Sequence, residues 1–309
     1  MPRLPSCPKR KETQLTNGTE IQTKLQDSTL GDEYWSVLDG YRMRYLCSGS
    51  GPPLLLLHGL LGYSFSWRFA LPALAERATV YAVDMPGVGF SDRPPNANGS
   101  FRGQAERLLR FLDSVDVDCC DLLATSHGGA TAMMAAALAP ERVRSLILVA
   151  PVNPWSAHGR RLAPLVSMAP VSWVLLRFEP CLGIVHDVLL RRLYGDPRRI
   201  RPGTLTGYSA PFKIPGTLNY ALGIVRSWNH DLAELEAALP RIANIPTLLL
   251  WGSKDAAVSP DSADRLRQAF KHCEVEIFDG VGHLPYEEVP ERFNSSVIEF
   301  LSRNSPKIL

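Results

Sequence analysis

Residues 122–130 read Leu-Leu-Ala-Thr-Ser-His-Gly-Gly-Ala, an apolar run that ends in a serine and leads into an alanine-rich helical pattern. Small residues, Ala124 and Gly128, stand two positions before and after this serine, Ser126. A nucleophilic serine on a sharp strand-to-helix turn needs such neighbours, because strand and helix nearly touch there and larger side chains would clash. A serine that only caps the following helix would have the same sequence pattern. Features elsewhere in the chain are therefore needed to distinguish a nucleophile from a cap.

The rest of the chain alternates strand patterns with helix patterns. Short apolar runs typical of buried strands lie at residues 54–57, 79–83, 145–149, 246–251 and 275–278. Helical segments are predicted at residues 67–76, 102–115, 128–139, 262–270 and 287–301. Asp39 and Gly40 separate two further strand patterns and predict a hairpin turn. This alternation predicts an α/β fold with a mostly parallel sheet and helices on both faces.

The alternation of strand and helix patterns is interrupted between residues 151 and 240, where prolines and helical fragments occur without a clear strand. We therefore expect residues 152–240 to form an inserted helical cap. Residues 33–151 and 241–303 would form the α/β core, and residues 1–32 a polar N-terminal tail.

Three candidate catalytic residues follow predicted strands in the order Ser126, Asp255, His283. Ligands bind open parallel sheets at the carboxyl ends of the strands, so these side chains are expected to converge. Acyl transfer by serine needs a base, here His283, and an acid that orients the base, here Asp255. Alternatively, Asp255 is a helix N-cap or a turn former, and His283 is a loop histidine.

Donors for an oxyanion are expected from two backbone amides. The sequence His-Gly-Leu-Leu-Gly at residues 58–62 follows the strand pattern at 54–57. The amides of Leu60 and His127 would point at one oxygen. We expect His58 to brace loops, and His127 to contribute its amide and not its imidazole.

These motifs together resemble the α/β-hydrolase family over about residues 34–301. The resemblance extends to residues 84–92, 251–255 and 283–288, and it departs from the family's Gly-x-Ser-x-Gly pattern at Ala124. It implies a capped serine hydrolase with a Ser126, His283 and Asp255 triad and an oxyanion hole. Epoxide hydrolases and haloalkane dehalogenases of this fold use aspartate at the position of Ser126, which argues against both activities.

The apolar cap predicts a hydrophobic small-molecule substrate, cleaved at a carboxylic ester, lactone or thioester through an acyl-enzyme. Two alternatives remain open: a carbon–carbon hydrolase of β-diketone-like substrates with the same triad, and a slow, ligand-binding receptor on the same fold. The sequence leaves the oligomeric state open.

Composition limits the partners. A net charge of +2 and a pI near 8.2 give no indication of nucleic-acid binding. No cofactor is expected, and the seven histidines lack metal-ligand spacing.

No secretory signal or membrane span is evident in the sequence. The six cysteines include no Cys-x-x-Cys pair, and we interpret them as small hydrophobic residues in a reducing compartment. The chain is therefore expected to be soluble and cytoplasmic. A cluster of arginines in the cap is interpreted as a solvated face or, alternatively, as a peripheral contact with an anionic lipid surface: Arg191, Arg192, Arg198, Arg199 and Arg201.

Overall fold

The computed structural model describes residue 7 and residues 30–95, 97–157, 159–160 and 162–304. Its centre is an eight-stranded sheet in the order β1-β2-β4-β3-β5-β6-β7-β8. The strands are β1 Asp32–Leu38, β2 Tyr41–Ser48, β3 Pro53–Leu57, β4 Thr79–Val83, β5 Cys120–Thr125, β6 Val143–Val149, β7 Thr247–Gly252 and β8 Cys273–Phe278. Strand β2 runs antiparallel to both β1 and β4, and the strands from β3 to β8 are parallel to one another. The predicted mostly parallel sheet is confirmed.

Eleven α-helices are present in the described residues. They are α1 Leu71–Ala75, α2 Phe101–Ser114, α3 His127–Leu138, α4 Leu162–Ser167, α5 Ala169–Arg177, α6 Leu182–Leu193, α7 Thr204–Ser209, α8 Thr217–Ala238, α9 Ala263–Arg267, α10 Pro285–Glu288 and α11 Pro290–Asn304.

The sheet is buried on both faces, which explains its apolar strands. Along β3, Leu55 and Leu57 pack in one hydrophobic cluster with α2, α3 and α8, while Leu54 and Leu56 pack in a second cluster with α1 and α11. Successive side chains of a strand point to opposite faces, so a strand covered on both sides is apolar at every position. Helix α3 is buried nearly all round, and its small residues let it lie against the centre of the sheet.

The hairpin at one edge forms as predicted. Asp39 and Gly40 join β1 to β2, and both have positive φ angles, 54° and 82°. A two-residue hairpin loop favours this conformation because its twist matches that of the strands.

Two predicted helices are interrupted in the structure. The segment predicted at 67–76 is a 3-10 turn, Ser64–Trp67, followed by α1, and the final helix is split into α10 and α11. The second break falls at Val289, with φ −137° and ψ 54°. A residue before proline is pushed out of the helical region, and Pro290 causes this here.

The segment at residues 152–240, called the inserted segment below, lies between β6 and β7. Its described residues form helices α4 to α8 and turns, and none belongs to a strand. Most of the predicted polar tail, residues 1–32, lies outside the described residues. No helix within the described residues is both long enough and apolar enough to cross a bilayer.

One cysteine prediction is wrong. Cys7 forms a disulfide with Cys47 on β2, with their Cα atoms 5.8 Å apart, whereas Cys119, Cys120, Cys181 and Cys273 are free thiols. A separation of 40 residues leaves no local sequence motif that would indicate this pairing. Disulfides persist mainly in oxidising compartments, and this bond removes the cysteine argument for a cytoplasmic location.

Candidate active site

Ser126 occupies a strained turn between β5 and α3. Its φ of 54° and ψ of −123° lie in a region that residues with a side chain rarely adopt, at a cost of about 1–3 kcal/mol. The backbone on either side holds it there. The Ser126 amide donates to the carbonyl of Val149 at 2.9 Å, and its carbonyl accepts from the amides of Gly129 and Val152, each at 2.9 Å.

Close packing around this turn explains the small residues of the motif. A Cβ at Gly128 would lie 2.2 Å from the carbonyl oxygen of His58, and one at Gly59 would lie 3.2 Å from Ser126 Cβ. Strand, turn and the loop after β3 are therefore in contact. Ala124 is fully buried, and its single methyl group fits where the family pattern has glycine.

Asp255 and His283 form a buried pair at the same edge of the sheet. His283 Nδ1 lies 2.7 Å from one carboxylate oxygen of Asp255, and the other oxygen accepts the amides of Ala257 and Val258 at 2.8 and 2.9 Å. Both side chains are almost completely buried. An Nδ1–H donated to the carboxylate leaves His283 Nε2 as an acceptor, which is the form a general base requires.

The parallel strands bring these residues to one edge. Ser126 directly follows β5, Asp255 follows β7, and His283 follows β8. Among the hydrogen bonds of the described residues, none joins Ser126 Oγ directly to His283. Such bonds are often long in enzymes without substrate and shorten when substrate binds.

The loop at residues 58–62 carries Leu60, and the preceding residue, Gly59, lies against the serine turn. The Gly62 amide donates to the Gly59 carbonyl at 3.0 Å, and Leu61 has a positive φ of 59°. His127 is the first residue of α3, where amides point out of the helix end and not into the helical ladder. Both predicted oxyanion donors are therefore in segments that adjoin Ser126.

His58 and His127 use their imidazoles for packing and bracing. His58 Nδ1 lies 2.8 Å from the Gly59 carbonyl, its Nε2 accepts the Met85 amide at 3.0 Å, and burial lowers its pKa, so the ring is neutral. The His127 ring lies 3.3 Å from the side-chain nitrogen of Gln104 and stacks on Trp228 at a centroid distance of 6.0 Å. These contacts account for both ring nitrogens of His58 and for one ring nitrogen of His127.

Two glutamates that the sequence analysis did not single out connect the His283 loop to the inserted segment. The Glu287 carboxylate accepts two bonds from Arg68, at 2.5 and 2.6 Å, and one each from the phenols of Tyr208 and Tyr194, at 2.8 and 3.2 Å. Burial and the Glu287 charge raise the pKa of both tyrosines, so both phenols stay protonated and donate.

Glu288 makes a second connection through backbone amides. It accepts from Gly282, the residue before His283, at 2.7 Å, and from Gly195 and Asp196 at 2.9 and 3.2 Å. The His283 amide itself donates to the carbonyl of Leu193 at 2.7 Å. The only signal in the sequence was the pair of adjacent carboxylates shortly after His283.

Metal ligation has no obvious place in this arrangement. Within the described ranges, no three His, Cys, Asp or Glu side chains are grouped so that they could hold a metal ion.

Comparison with known proteins agrees with this fold. Residues 52–290 match the family model of the alpha/beta hydrolase fold. An uncharacterized protein of Mycobacterium tuberculosis is 30% identical in an alignment of 286 residues that covers 86% of this chain and 80% of that protein. A 2-hydroxymuconate semialdehyde hydrolase of a Pseudomonas species is 28% identical over 283 residues, covering 85% and 91% of the two chains.

Solved structures show the same architecture. A crystal structure described as a membrane phospholipase A and bacterial virulence factor superposes with a TM-score of 0.69 and 28% identity, covering 91% of this chain and 89% of that one. Since the family model spans most of the chain, this protein belongs to the alpha/beta hydrolase family and is a hydrolase by that membership.

Proposed function

We propose that the protein hydrolyses a carboxylic ester of a hydrophobic small molecule, with Ser126 as nucleophile. One observation carries the proposal: a serine on a strained turn at the sheet edge where a buried carboxylate–imidazole pair also lies. Backbone strain at a side-chain-bearing residue persists where the surroundings enforce it, and it exposes the hydroxyl for attack.

The proposed reaction has two halves. Ser126 Oγ attacks the ester carbonyl while His283 Nε2 takes its proton, and Asp255 holds the imidazole and stabilises its cation. The amides of Leu60 and His127 would bind the oxyanion of the tetrahedral intermediate. His283 then returns the proton to the leaving alcohol, and an acyl-enzyme remains. Water, deprotonated by His283, attacks this acyl group, and the acid leaves as Ser126 recovers its proton.

A hydrophobic ester is favoured by the composition of the inserted segment and by one relative. The segment carries many apolar and aromatic side chains, among them Trp228, which stacks on His127 beside Ser126. The structurally similar protein described as a membrane phospholipase A is consistent with a lipid-like ester.

Hydrolysis of a carbon–carbon bond is the second candidate, because a 2-hydroxymuconate semialdehyde hydrolase is 28% identical over 85% of this chain. The same three residues would serve that reaction. Such an enzyme is expected to be poor on simple aryl esters, so one substrate series separates the two candidates.

The test is hydrolysis of p-nitrophenyl esters from acetate to palmitate by wild type, Ser126→Ala and the exposed-site control Ser302→Ala. Loss of a triad member typically lowers kcat by about 10⁴-fold or more, and we expect this for Ser126→Ala alone, with an unchanged circular dichroism spectrum. The chain length of the best substrate would measure the acyl pocket. Turnover that survives in Ser126→Ala contradicts the mechanism, and an inactive wild type contradicts the ester substrate.

A further inference from the structure

Helices α5 and α6 of the inserted segment expose an unusual amount of apolar surface. Ile184 is 73% exposed, and Trp173 and Phe178 are each 59% exposed. The other large apolar side chains exposed in this part of the chain are Leu165, Met168, Val174, Val185, Val188 and Leu189. Large exposed apolar areas on soluble domains mark sites of interaction.

Helix α6 is apolar on its outer side as well as on its inner side, where Leu190 is buried in the core. Its exposed positions follow helical spacing: Ile184, Val188 and Arg192 form one row, and Val185 and Leu189 form the adjacent row. Its inner side carries His186, which packs against the rings of Tyr208 and Phe212. A surface helix normally turns its apolar stripe toward the core, so the outer stripe of α6 lacks a structural explanation within the described fold.

Arginines border this apolar face, in a stretch of sequence that is rich in positive charge. Residues 160–213 contain nine Lys or Arg and three Asp or Glu, a formal net charge of +6, whereas the whole chain carries +2. Arg177 lies over the ring of Trp173 with its guanidinium carbon 4.9 Å from the ring centroid. Arg191 and Arg192 are exposed at the end of α6.

Two of the three acidic groups of this stretch are engaged elsewhere, and the third, Asp187, lies on α6 one turn before Arg191. Glu179 accepts the amides of Gly216 and Leu218, at 2.9 and 3.0 Å, near the start of α8. Asp196 accepts both backbone and side-chain bonds from Arg198. The exposed apolar face is therefore bordered mainly by cations.

We propose that the exposed face of α5 and α6 docks on an anionic phospholipid bilayer. Trp and Phe side chains partition into the interfacial region of a bilayer, and arginines beside them pair with anionic headgroups. A second copy of this chain is a poorer occupant, because a symmetric contact through the same face would bring the arginines of one copy against those of the other.

Docking would also define where the substrate comes from. The face belongs to the segment whose helix α8 packs against His127, the neighbour of Ser126. If the proposed ester hydrolysis is correct, on which this step rests, the substrates are esters dissolved in the bilayer. The docking itself requires no catalysis.

The experiment measures partitioning of the full chain, with its disulfide intact, onto vesicles by sedimentation. Vesicles of phosphatidylcholine with phosphatidylglycerol are compared with vesicles of phosphatidylcholine alone, at low and high salt. We expect binding to the anionic vesicles that weakens with salt. Trp173→Ser with Ile184→Ser should reduce binding by about tenfold or more. Arg191→Gln with Arg192→Gln should reduce binding to anionic vesicles by about tenfold or more and reduce its salt dependence.

Matched controls lie on other surfaces. Val37→Ser with Ile277→Ser removes two other exposed apolar groups, and Arg292→Gln with Arg303→Gln removes two other exposed arginines. Both double variants should bind vesicles as wild type does. Hydrolysis of a short soluble ester, followed in every variant, separates failure of the proposed activity from failure of docking. Absence of vesicle binding by wild type overturns the inference. So does a dimer in sedimentation velocity that Ile184→Ser abolishes, because the face would then join two copies of the chain.

Discussion

At the scale of single residues, positions 124 and 128 show that the small residues around Ser126 serve different purposes. Gly128 faces the backbone carbonyl of His58, which cannot move away because the His58 ring is held at both nitrogens: Nδ1 by the Gly59 carbonyl and Nε2 by the Met85 amide, which it accepts. Ala124 lies in the strand, where a methyl group fits. The departure from the family pattern at Ala124 is therefore compatible with the strained turn, whereas a departure at Gly128 would not be.

Gly128→Ala should destabilise the fold and slow turnover. The added Cβ would lie 2.2 Å from the His58 carbonyl, and overpacking of this kind costs about 1–3 kcal/mol. The loop that carries Leu60 would shift with His58. Urea unfolding and ester hydrolysis measure the two effects.

Gly223→Ala on α8 is the matched control, because a Cβ there meets nothing within 4 Å. It should stabilise by about 0.5–1 kcal/mol, since alanine is the better helix former. Equal stability changes in the two variants would show that the contact with His58 does not constrain position 128.

At the scale of elements, helix α10 links the inserted segment to the core through two buried carboxylates. Glu287 and Glu288 hold the inserted segment against the core, and Arg68, between the 3-10 turn at 64–67 and α1, joins the same network. Removing one partner of a buried ion pair leaves an uncompensated charge, whereas exposed pairs contribute little.

Glu287→Ala should therefore lower the free energy of unfolding by about 3–5 kcal/mol. Glu299→Ala, which removes the exposed partner of Arg303 one turn away on α11, should change it by less than about 0.5 kcal/mol. Denaturant unfolding of both variants measures the difference. A small effect of Glu287→Ala would mean that water replaces the carboxylate as the hydrogen-bond partner of Arg68, Tyr194 and Tyr208.

His186 on α6 gives the inserted segment a dependence on pH. Burial lowers the pKa of His186 to about 4, so the unfolded chain binds a proton between pH 6.5 and 4 that the folded protein does not. Stability is therefore complete above pH 6.5 and decreases as the pH falls toward 4. The loss from this residue should be about 1–2 kcal/mol between pH 7 and 5.

His186→Phe keeps an aromatic ring beside Tyr208 and Phe212 and removes the titration. The unfolding free energy of this variant should decrease less steeply with falling pH than that of wild type. The decrease that persists in the variant would come from other groups, such as the buried His58. Identical pH profiles of the two proteins, from urea unfolding at several pH values, would contradict the burial of His186.

At the scale of the whole molecule, the disulfide attaches the N-terminal segment to the antiparallel edge of the sheet. Cys47 is buried on β2, so the bond connects residue 7 to the region of the sheet remote from Asp255 and His283. Crosslinking a loop of this length restricts the unfolded chain, which stabilises the fold without touching the candidate site.

Thiol counting tests this connection directly. The denatured, unreduced protein should show four reactive thiols, and six after reduction, because the other cysteines are free. Cys7→Ser should lower the free energy of unfolding by about 2–4 kcal/mol and leave ester turnover unchanged. Six thiols in unreduced protein purified without reductant would rule out the bond.

The sequence predicted much of the fold, and the successes have a local cause. The hairpin at Asp39 and Gly40 and the apolar strands β3, β5 and β7 depend on periodicity and turn chemistry within a few residues. The interrupted helices were predicted less well, because the effect of Pro290 on the residue before it competes with a continuous helical pattern. Parallel strands end at one edge, so Ser126, Asp255 and His283 could be expected together.

By itself, then, the sequence determined the order of elements, the parallel sheet and the positions after its strands where the candidate site residues stand. Only the tertiary structure decided which distant groups meet. Glu287 and Arg68 are 219 residues apart, and Cys7 and Cys47 are 40 apart without a motif. The outward apolar face of α6 could not be predicted either, because an apolar stripe has the same sequence pattern whether it faces the core or the solvent. Local patterns fix local conformation, whereas burial and pairing depend on how elements pack against one another.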